Sequence, residues 1–221
     1  MIRLRPYDVP HKALRNVLSQ VSLLAGKTNY GNAAEIETLY LASKELFAML
    51  DTHARDEENV TLAELEMRLP GSTQHDKDDH IEIHEAQHHL LDLITDIYNT
   101  SRSGIDQKEA GAEYYLALTE FHNKYLDHIS QEERVTQLLL WEHFTDEELI
   151  GHRGRIMSKL EPAMLLTWFK YSAPAQSHPE RVEVFSGFKK MAPEPFFNQG
   201  MGVLKEVLTS QEYNNLQTAL N

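Results

Sequence analysis

Apolar residues recur along most of the chain at intervals of three and four positions, and this spacing predicts helices almost throughout. Hardly any segment shows the alternating, β-branched pattern that is typical of a strand. The first predicted helix covers about residues 8–26, and the positions on its inward stripe are His11, Leu14, Leu18, Val21 and Ala25. We therefore predict an all-α fold in which His11 lies on a buried face.

Three longer helices are predicted after the first, and glycine, proline or polar residues end each of them. They cover about residues 32–69, 78–103 and 106–143. Because short connections make neighbouring helices antiparallel, these elements favour an antiparallel four-helix bundle, in which side chains from facing helices can converge on a metal. We assign residues 1–144 to this bundle.

Residues 145–221 differ from the rest of the chain because prolines repeatedly interrupt the helical pattern. Thr145 with Glu148, and Ser177 with Glu180, have the spacing of capping boxes at helix starts. This segment has too many apolar residues for a solvated tail, among them Leu165, Leu166, Trp168, Phe169, Val184, Phe185, Phe188, Phe196 and Phe197. We therefore predict a C-terminal helical extension that packs against the bundle.

Two predicted helices carry the same polar motif on their inward stripe, His53-x-x-x-Glu57 and His128-x-x-x-Glu132. Residues four apart lie on one helix face, about 5–6 Å between Cβ atoms, so an imidazole and a carboxylate can reach one ion. A single pair of this kind is usually a surface hydrogen bond. Two pairs on two buried stripes require a compensating charge, which bound cations provide. The stripes are Leu39, Leu46, Leu50, His53, Glu57, Val60 and Leu118, Phe121, Tyr125, His128, Glu132, Val135, Leu139.

The third predicted helix begins with a run of histidines. The side chains that we place on its inward face are His80, His84, His88, Leu91, Thr95 and Tyr98. His84 precedes His128 by 44 residues, much as His11 precedes His53 by 42. This nearly equal spacing predicts two half-sites related by pseudo-symmetry, and therefore a site for two metal ions.

Composition limits the residue types that could bind a metal and the classes of partner that the protein could have. The chain has no cysteine, so a metal would be held by imidazole and carboxylate, which suit iron, manganese or zinc. A formal charge of −13 without a basic stripe argues against nucleic acid. No stretch approaches the roughly 18 apolar residues of a membrane span, and no glycine-rich phosphate loop is present. We expect a cytoplasmic protein that binds neither membranes nor nucleic acids.

The histidine and glutamate motifs together resemble those of hemerythrins and the wider HHE cation-binding family. The family has one histidine on the first helix, His-x-x-x-Glu on the second, His-x-x-x-His on the third and His-x-x-x-x-Asp on the fourth. The resemblance covers residues 8–143, and the first three patterns match. It implies seven metal ligands, which are His11, His53, Glu57, His80, His84, His128 and Glu132.

The fourth helix departs from the family pattern, because Glu133 stands five residues after His128 where the family has an aspartate. The internal repeat favours Glu132 instead, as does the similarity to the hemerythrin-like domain of an iron-sensing ubiquitin-ligase subunit. His122 and Asp127 also have the family spacing, but they lie off the stripe that carries His128.

The resemblance implies a cofactor of two iron ions, Fe2+ or Fe3+, joined by an oxo or hydroxo bridge. On two octahedral ions the implied ligands leave one position open, where O2, NO or peroxide would bind. Because neutral imidazoles dominate these ligands and favour the ferrous state, we expect reversible binding or sensing of O2, NO or iron itself. Tyr125 is expected to donate a hydrogen bond near the open position, and His88 is an alternative to His80.

Two other functions stay open at this point. A di-iron oxidase, peroxidase or ferroxidase would use the same ligands for turnover, and a structural zinc bundle would use them only for stability. A sensor would report to a protein partner. The sequence identifies neither this partner nor the oligomeric state, for which a homodimer is one option.

Overall fold

The computed structural model describes residues 3–221, and over this range the chain is helical and contains no strand. The predicted all-α fold is therefore confirmed. None of the helices in this range combines the length and the apolar character that crossing a bilayer requires. The α-helices are α1 Asp8–Lys27, α2 Ala33–Asp56, α3 Leu62–Arg68, α4 Gln74–Ser101, α5 Lys108–Gln131, α6 Gln137–His143, α7 Asp146–Met157, α8 Pro162–Ala175, α9 His178–Met191, α10 Glu194–Val207 and α11 Ser210–Leu220.

Two short π-helical segments join α-helices end to end, α2 to α3 and α5 to α6. The backbone carbonyl of Glu57 accepts a hydrogen bond from the amide of Leu62, and that of Glu132 accepts one from the amide of Gln137. Each of these bonds spans five residues instead of four, so one extra residue enters the helix and rotates the faces of the next segment. The segments are π1 Glu57–Thr61 and π2 Glu132–Thr136.

The four long helices predicted for the bundle are present as α1, α2-π1-α3, α4 and α5-π2-α6, with ends within a few residues of the prediction. α4 packs against both α2 and α5. The C-terminal half of α1 contacts α5 through Ser22 Oγ, which lies 2.9 Å from His122 Nδ1. Gly71 and Gly104, in the loops after α3 and α4, have positive φ angles of 85° and 75°, which glycine adopts without steric cost.

The inward faces agree with the prediction in α1 and α2 but not in α4. All the predicted stripe positions of α1 and of the helix α2-π1-α3 are buried. In α4, by contrast, His84 and His88 are exposed, because its leucines and isoleucines define an apolar face that lies one residue away. Val135 is 43% exposed because π2 turns Thr136 inward instead. The buried residues of α4 are Asp76, His80, Ile83, Gln87, Leu90, Ile94, Ile97 and Ser101.

The chain divides into two compact units. The first contains Val17–Lys159 and the amino-terminal residues up to Tyr7, and the second contains Asp8–Asn16 and Leu160–Asn221. Within the first unit, α7 packs against π1, so the residues just after position 145 lie with the bundle helices. One apolar cluster of this unit consists of Tyr7, Leu65, Leu140, Phe144 and Leu149.

The C-terminal residues form short helices, and the predicted capping boxes at Thr145 and Ser177 are both present. The second unit has an apolar core of its own. Phe169 packs edge to face against Phe185 and Phe188, with ring centroids 4.9 and 4.7 Å apart. Other buried members of this core are Ala173, Met201, Leu204, Leu208 and Leu216.

Candidate metal centre

The two glutamates of the repeated motif are the first residues of the two π-helical segments. Glu57 begins π1 and Glu132 begins π2, and both side chains are buried. His53 and His128 lie four residues earlier, in regular α-helix, and are buried as well. Because the chain is regular α-helix between each histidine and its glutamate, the two side chains lie on one face. The five-residue hydrogen bond of the π-helix begins only at the glutamate.

These side chains form two groups that share a carboxylate. The first group contains His53, Glu57 and Glu132, and the second contains His80, His128 and Glu132. Within each group, one potential ligand atom from every residue lies within 4.8 Å of the others. Glu132, with 0% of its surface exposed, belongs to both groups.

The distances between imidazole and carboxylate atoms fit ligands around a shared ion. His80 Nε2 lies 3.6 Å from Glu57 Oε2 and 3.7 Å from Glu132 Oε1, too far for hydrogen bonds. This nitrogen is buried and has no hydrogen-bond partner. Ligand atoms bonded to one metal ion at about 2.0–2.2 Å are themselves about 3–3.5 Å apart. A cation between these side chains would therefore satisfy the buried nitrogen.

Both histidines of the second group contact, through Nδ1, a carboxylate that belongs to neither group. His80 Nδ1 lies 3.0 Å from Glu58 Oε1, and His128 Nδ1 lies 3.3 Å from Asp79 Oδ2. An imidazole that donates its Nδ1 proton to a carboxylate directs the Nε2 lone pair towards a metal. Sequence reasoning missed both partners, although each stands directly beside a predicted ligand, next to Glu57 or His80.

Asp76 is a further buried carboxylate, which the sequence analysis did not assign to the site. It lies in the first turn of α4 and accepts a hydrogen bond of 2.9 Å from Thr136 Oγ1 of π2. Burial raises the pKa of Asp76, and the charge of Glu132 raises it further, against the hydrogen bond from Thr136. Asp76 stands one turn before His80, a spacing that would have identified it.

The electrostatics of the centre favour an added positive charge. Burial lowers the pKa of His80, but Glu132 and Glu57 outweigh this effect and raise it from 6.5 to about 11. Burial raises the pKa of Tyr7 and Tyr125 well above 10.0, and the same two glutamates raise both further. Both tyrosines therefore keep their protons. A proton on His80, or a metal ion in its place, balances the buried carboxylates.

Two histidines predicted for the third helix lie outside both groups. His84 is exposed, and its Nε2 lies 3.0 Å from Nε2 of His88, which is exposed too. The structure therefore does not bring His84, or His88 as a substitute for His80, together with the two groups, because the inward face of α4 continues from His80 through Ile83 and Gln87.

The alternatives on the fourth helix also lie outside the two groups. Glu133 is only partly buried, whereas its neighbour Glu132 is fully buried. His122 contacts Ser22 on α1, and Asp127 is exposed. The four-residue step of the internal repeat therefore gives the inward carboxylate.

His11 lies on α1 and is completely buried, as its stripe predicts. Its part as a metal ligand stays a prediction. Tyr125 is buried, and its ring packs edge to face against His128 with centroids 5.9 Å apart. Its part as a hydrogen-bond donor near an open position stays a prediction. The buried imidazoles and carboxylates together indicate a metal-binding site.

Comparisons with known proteins agree with this site. No curated protein and no solved structure matches the chain. The family model described as the hemerythrin HHE cation binding domain matches residues 5–140. This match covers more than half of the chain and includes every residue of the two ligand groups. The protein therefore belongs to the hemerythrin HHE cation-binding family.

Proposed function

We propose that this protein holds two iron ions in the bundle and uses them to bind or sense a small ligand such as O2 or NO. The observation that carries this proposal is the sharing of Glu132 between the two ligand groups. A carboxylate that lies within reach of two sets of imidazoles is suited to bridge a pair of ions rather than to bind a single ion.

We assign His53, Glu57 and Glu132 to one ion and His80, His128 and Glu132 to the other. The 3.6 Å separation of His80 Nε2 and Glu57 Oε2 supports Glu57 as a second bridge. We retain His11 as a further ligand of the first ion, because it is a fully buried imidazole on the helix where the family has its single histidine.

Iron is the metal that we propose because nitrogen and oxygen donors suit it and no thiolate is present. Bound here, a pair of irons would supply an open coordination position and two electrons for a small ligand. The surrounding side chains limit its size. A cavity of about 20 Å³ is lined by His80, His128 and Tyr125, among others, and a space of this size holds about one water molecule.

Tyr125 has a defined part in this proposal. Tyr125 lines the cavity, its ring contacts that of His128, and its raised pKa keeps the hydroxyl protonated. A phenol that stays protonated can donate a hydrogen bond to a small anionic or polar ligand in the cavity. The volume of the cavity restricts this ligand to the size of a diatomic molecule or a water molecule.

Oxidation chemistry is the second candidate function, and Asp76 favours it. This third buried carboxylate, one turn before His80, makes the surroundings of the ligand groups richer in oxygen than the family pattern alone implies. Carboxylate-rich surroundings stabilise the oxidised ions, as turnover of ferrous iron or peroxide requires. The imidazoles still outnumber the bridging carboxylates, so we place binding or sensing first. A structural zinc bundle is the third candidate.

Metal content and an absorption spectrum test the proposal directly. We expect two iron ions per chain after anaerobic loading, near-ultraviolet absorption after oxidation and a change on adding azide. Glu132→Ala should lose both ions, because it removes the shared ligand, whereas the neighbouring control Glu133→Ala should keep them. A wild-type protein that binds only zinc, or no metal, would contradict the proposal.

A second experiment separates binding from turnover. The reduced, iron-loaded protein is exposed to O2 and then returned to argon, and the spectrum is recorded at each step. Reversible changes support binding or sensing. Steady consumption of peroxide or ferrous iron by the same sample would instead assign the protein to the oxidases.

A further inference from the structure

His84 and His88 form an exposed pair of imidazoles on α4 that the proposed metal centre does not use. They lie four residues apart on one face, with ring centroids 4.3 Å apart and their Nε2 atoms 3.0 Å apart. Both side chains are exposed to solvent. With one proton between the two nitrogens, the pair forms a hydrogen bond in the absence of a metal.

The same geometry suits a transition-metal ion. Two imidazole nitrogens bonded to one ion at about 2.1 Å and at right angles are about 3.0 Å apart. The pair therefore needs no change in the position of either Nε2 to bind an ion in place of the shared proton. Two ligands at consecutive turns of a stable helix are also held in register before the ion arrives.

The pair is linked to the buried centre by the cavity described above. His84 lines this cavity together with His80 and His128. Asp51 also lines it, and Asp51 Oδ1 accepts a hydrogen bond of 2.5 Å from Gln87 Nε2. The cavity is thus lined by two histidines of the ligand group and, outside that group, by His84 and Asp51.

Three histidines follow one another at successive turns of α4 from the core to the solvent. His80 is buried and belongs to a ligand group, His84 lines the cavity, and His88 is exposed beside it. An ion bound by the outer two can pass inward by exchanging one imidazole at a time. The exposed His84 side chain changes rotamer within about nanoseconds, so its motion does not limit such a step.

We propose that His84 and His88 form a capture site that takes up a divalent transition-metal ion from solution and passes it through the cavity to His80 and His128. This inference rests on the proposed metal centre. The transfer changes metal–ligand bonds and one N–H bond. The ion loses water ligands as it gains imidazoles, and the proton on Nε2 of the outer pair goes to solvent while Nδ1 of the same ring takes one up, so both imidazoles stay neutral.

Loading of the metal-free full-length protein with limiting Co2+ tests the capture site, because the visible bands of Co2+ report its ligands. We expect His84→Ala with His88→Ala to slow the appearance of the buried-site spectrum at least tenfold. The final stoichiometry and spectrum should equal those of wild type. The control His89→Ala, an exposed histidine of the same helix outside the cavity lining, should load at the wild-type rate.

A second measurement detects the outer ion by itself. In the variant Glu57→Ala with Glu132→Ala, which lacks both bridging carboxylates, we expect one weakly bound Co2+ that disappears when His84→Ala and His88→Ala are added. Circular dichroism confirms that each variant is folded.

The outcomes separate the two proposals. Equal loading rates of wild type and the His84→Ala, His88→Ala variant, with full final occupancy, would overturn the capture site and leave the metal centre intact. If wild type binds no ion that Glu132→Ala removes, the metal centre itself is overturned, and the transfer with it.

Discussion

The buried interiors of the two units contrast in chemistry. The second unit is built around phenylalanines and leucines, such as Phe169 and Phe185, which gain about 25 cal/mol per Å² of apolar surface removed from water. The first unit also buries apolar residues, but it adds Glu57 and Glu132, and each buried carboxylate costs several kcal/mol unless a cation compensates it. The apolar interior has no buried charge of this kind to compensate, whereas we expect the interior with the glutamates to require a cation.

Metal removal should give the largest difference in stability change between the two units. An ion present at about 1,000 times its Kd stabilises the folded state by about 4 kcal/mol. We expect chelation to reduce the hydrogen-exchange protection of α4 and α5 peptides by at least this free energy and to leave α9 and α10 peptides unchanged. An equal loss of protection in both sets of peptides would remove the contrast.

Phe185→Ala is the corresponding test of the apolar interior. Phe185 is fully buried, and truncating such a side chain costs about 3–5 kcal/mol through lost burial and a residual cavity. The loss of stability should appear as reduced hydrogen-exchange protection of α9 and α10 peptides. Its size should be the same before and after chelation. Met191→Ala, at a position that is 77% exposed, is the control and should change stability by less than about 0.5 kcal/mol.

The stability of the metal-free protein should depend on pH through the first unit, which contains His80. The pKa of His80 is about 11 in the folded protein and 6.5 when unfolded, so its contribution is complete below pH 6.5 and is lost as the pH rises towards 11. Allowing for relaxation of the site, we expect a loss of about 2–3 kcal/mol across this window. Urea unfolding at a series of pH values measures it. His80→Gln should abolish the slope, and a slope that persists would point to other groups.

Asp79→Asn should weaken metal binding without abolishing it. Its carboxylate holds His128 Nδ1 at 3.3 Å, and loss of such a partner lowers metal affinity about 10–100-fold. Competition with a chelator of known affinity measures the change. Asp78→Asn, an exposed neighbour that bonds to Gln74, should leave the affinity unchanged. Equal effects of the two variants would mean that Asp79 acts only through net charge.

The smallest effect is expected at a surface ion pair of the second unit. Lys12 Nζ lies 2.5 Å from Glu180 Oε1 and is the main cause of a Glu180 pKa of about 2. The contribution of this pair is present above pH 4.5 and is lost as the pH falls towards 2. Because solvent screens the pair, Lys12→Ala should cost less than about 1 kcal/mol at pH 7. Acid unfolding of both proteins measures it, and a larger cost would indicate a buried role.

Most of the fold can be predicted from periodicity, whereas the site can be predicted only in part. Regular spacing of apolar residues predicts the helices and their ends, and the repeated motif predicts that His53, Glu57, His128 and Glu132 face inward. The inward face predicted for the third helix is wrong, because that prediction follows the spacing of the histidines and not that of the isoleucines. Burial free energy decides which face turns inward, so Ile83 rather than His84 lies on it.

The partner carboxylates could not be derived from single-helix reasoning. Glu58 on π1 meets His80 on α4, and Asp79 on α4 meets His128 on α5. Such contacts between helices depend on the rotation and height of each helix, which no spacing within one segment specifies. The π-helical segments were equally invisible, because no residue type marks a five-residue hydrogen bond.

Each π-helical segment amounts to a one-residue insertion inside a helix, at the same place in both copies of the motif. Deleting a single residue from π2 would restore regular winding and turn α6 by about 100°, so that its apolar side chains would point the wrong way. Grafting His-x-x-x-Glu onto two uniform helices would therefore copy the donor atoms without the backbone irregularity that orients the next helix. Any designed imitation of this centre has to include both inserted residues.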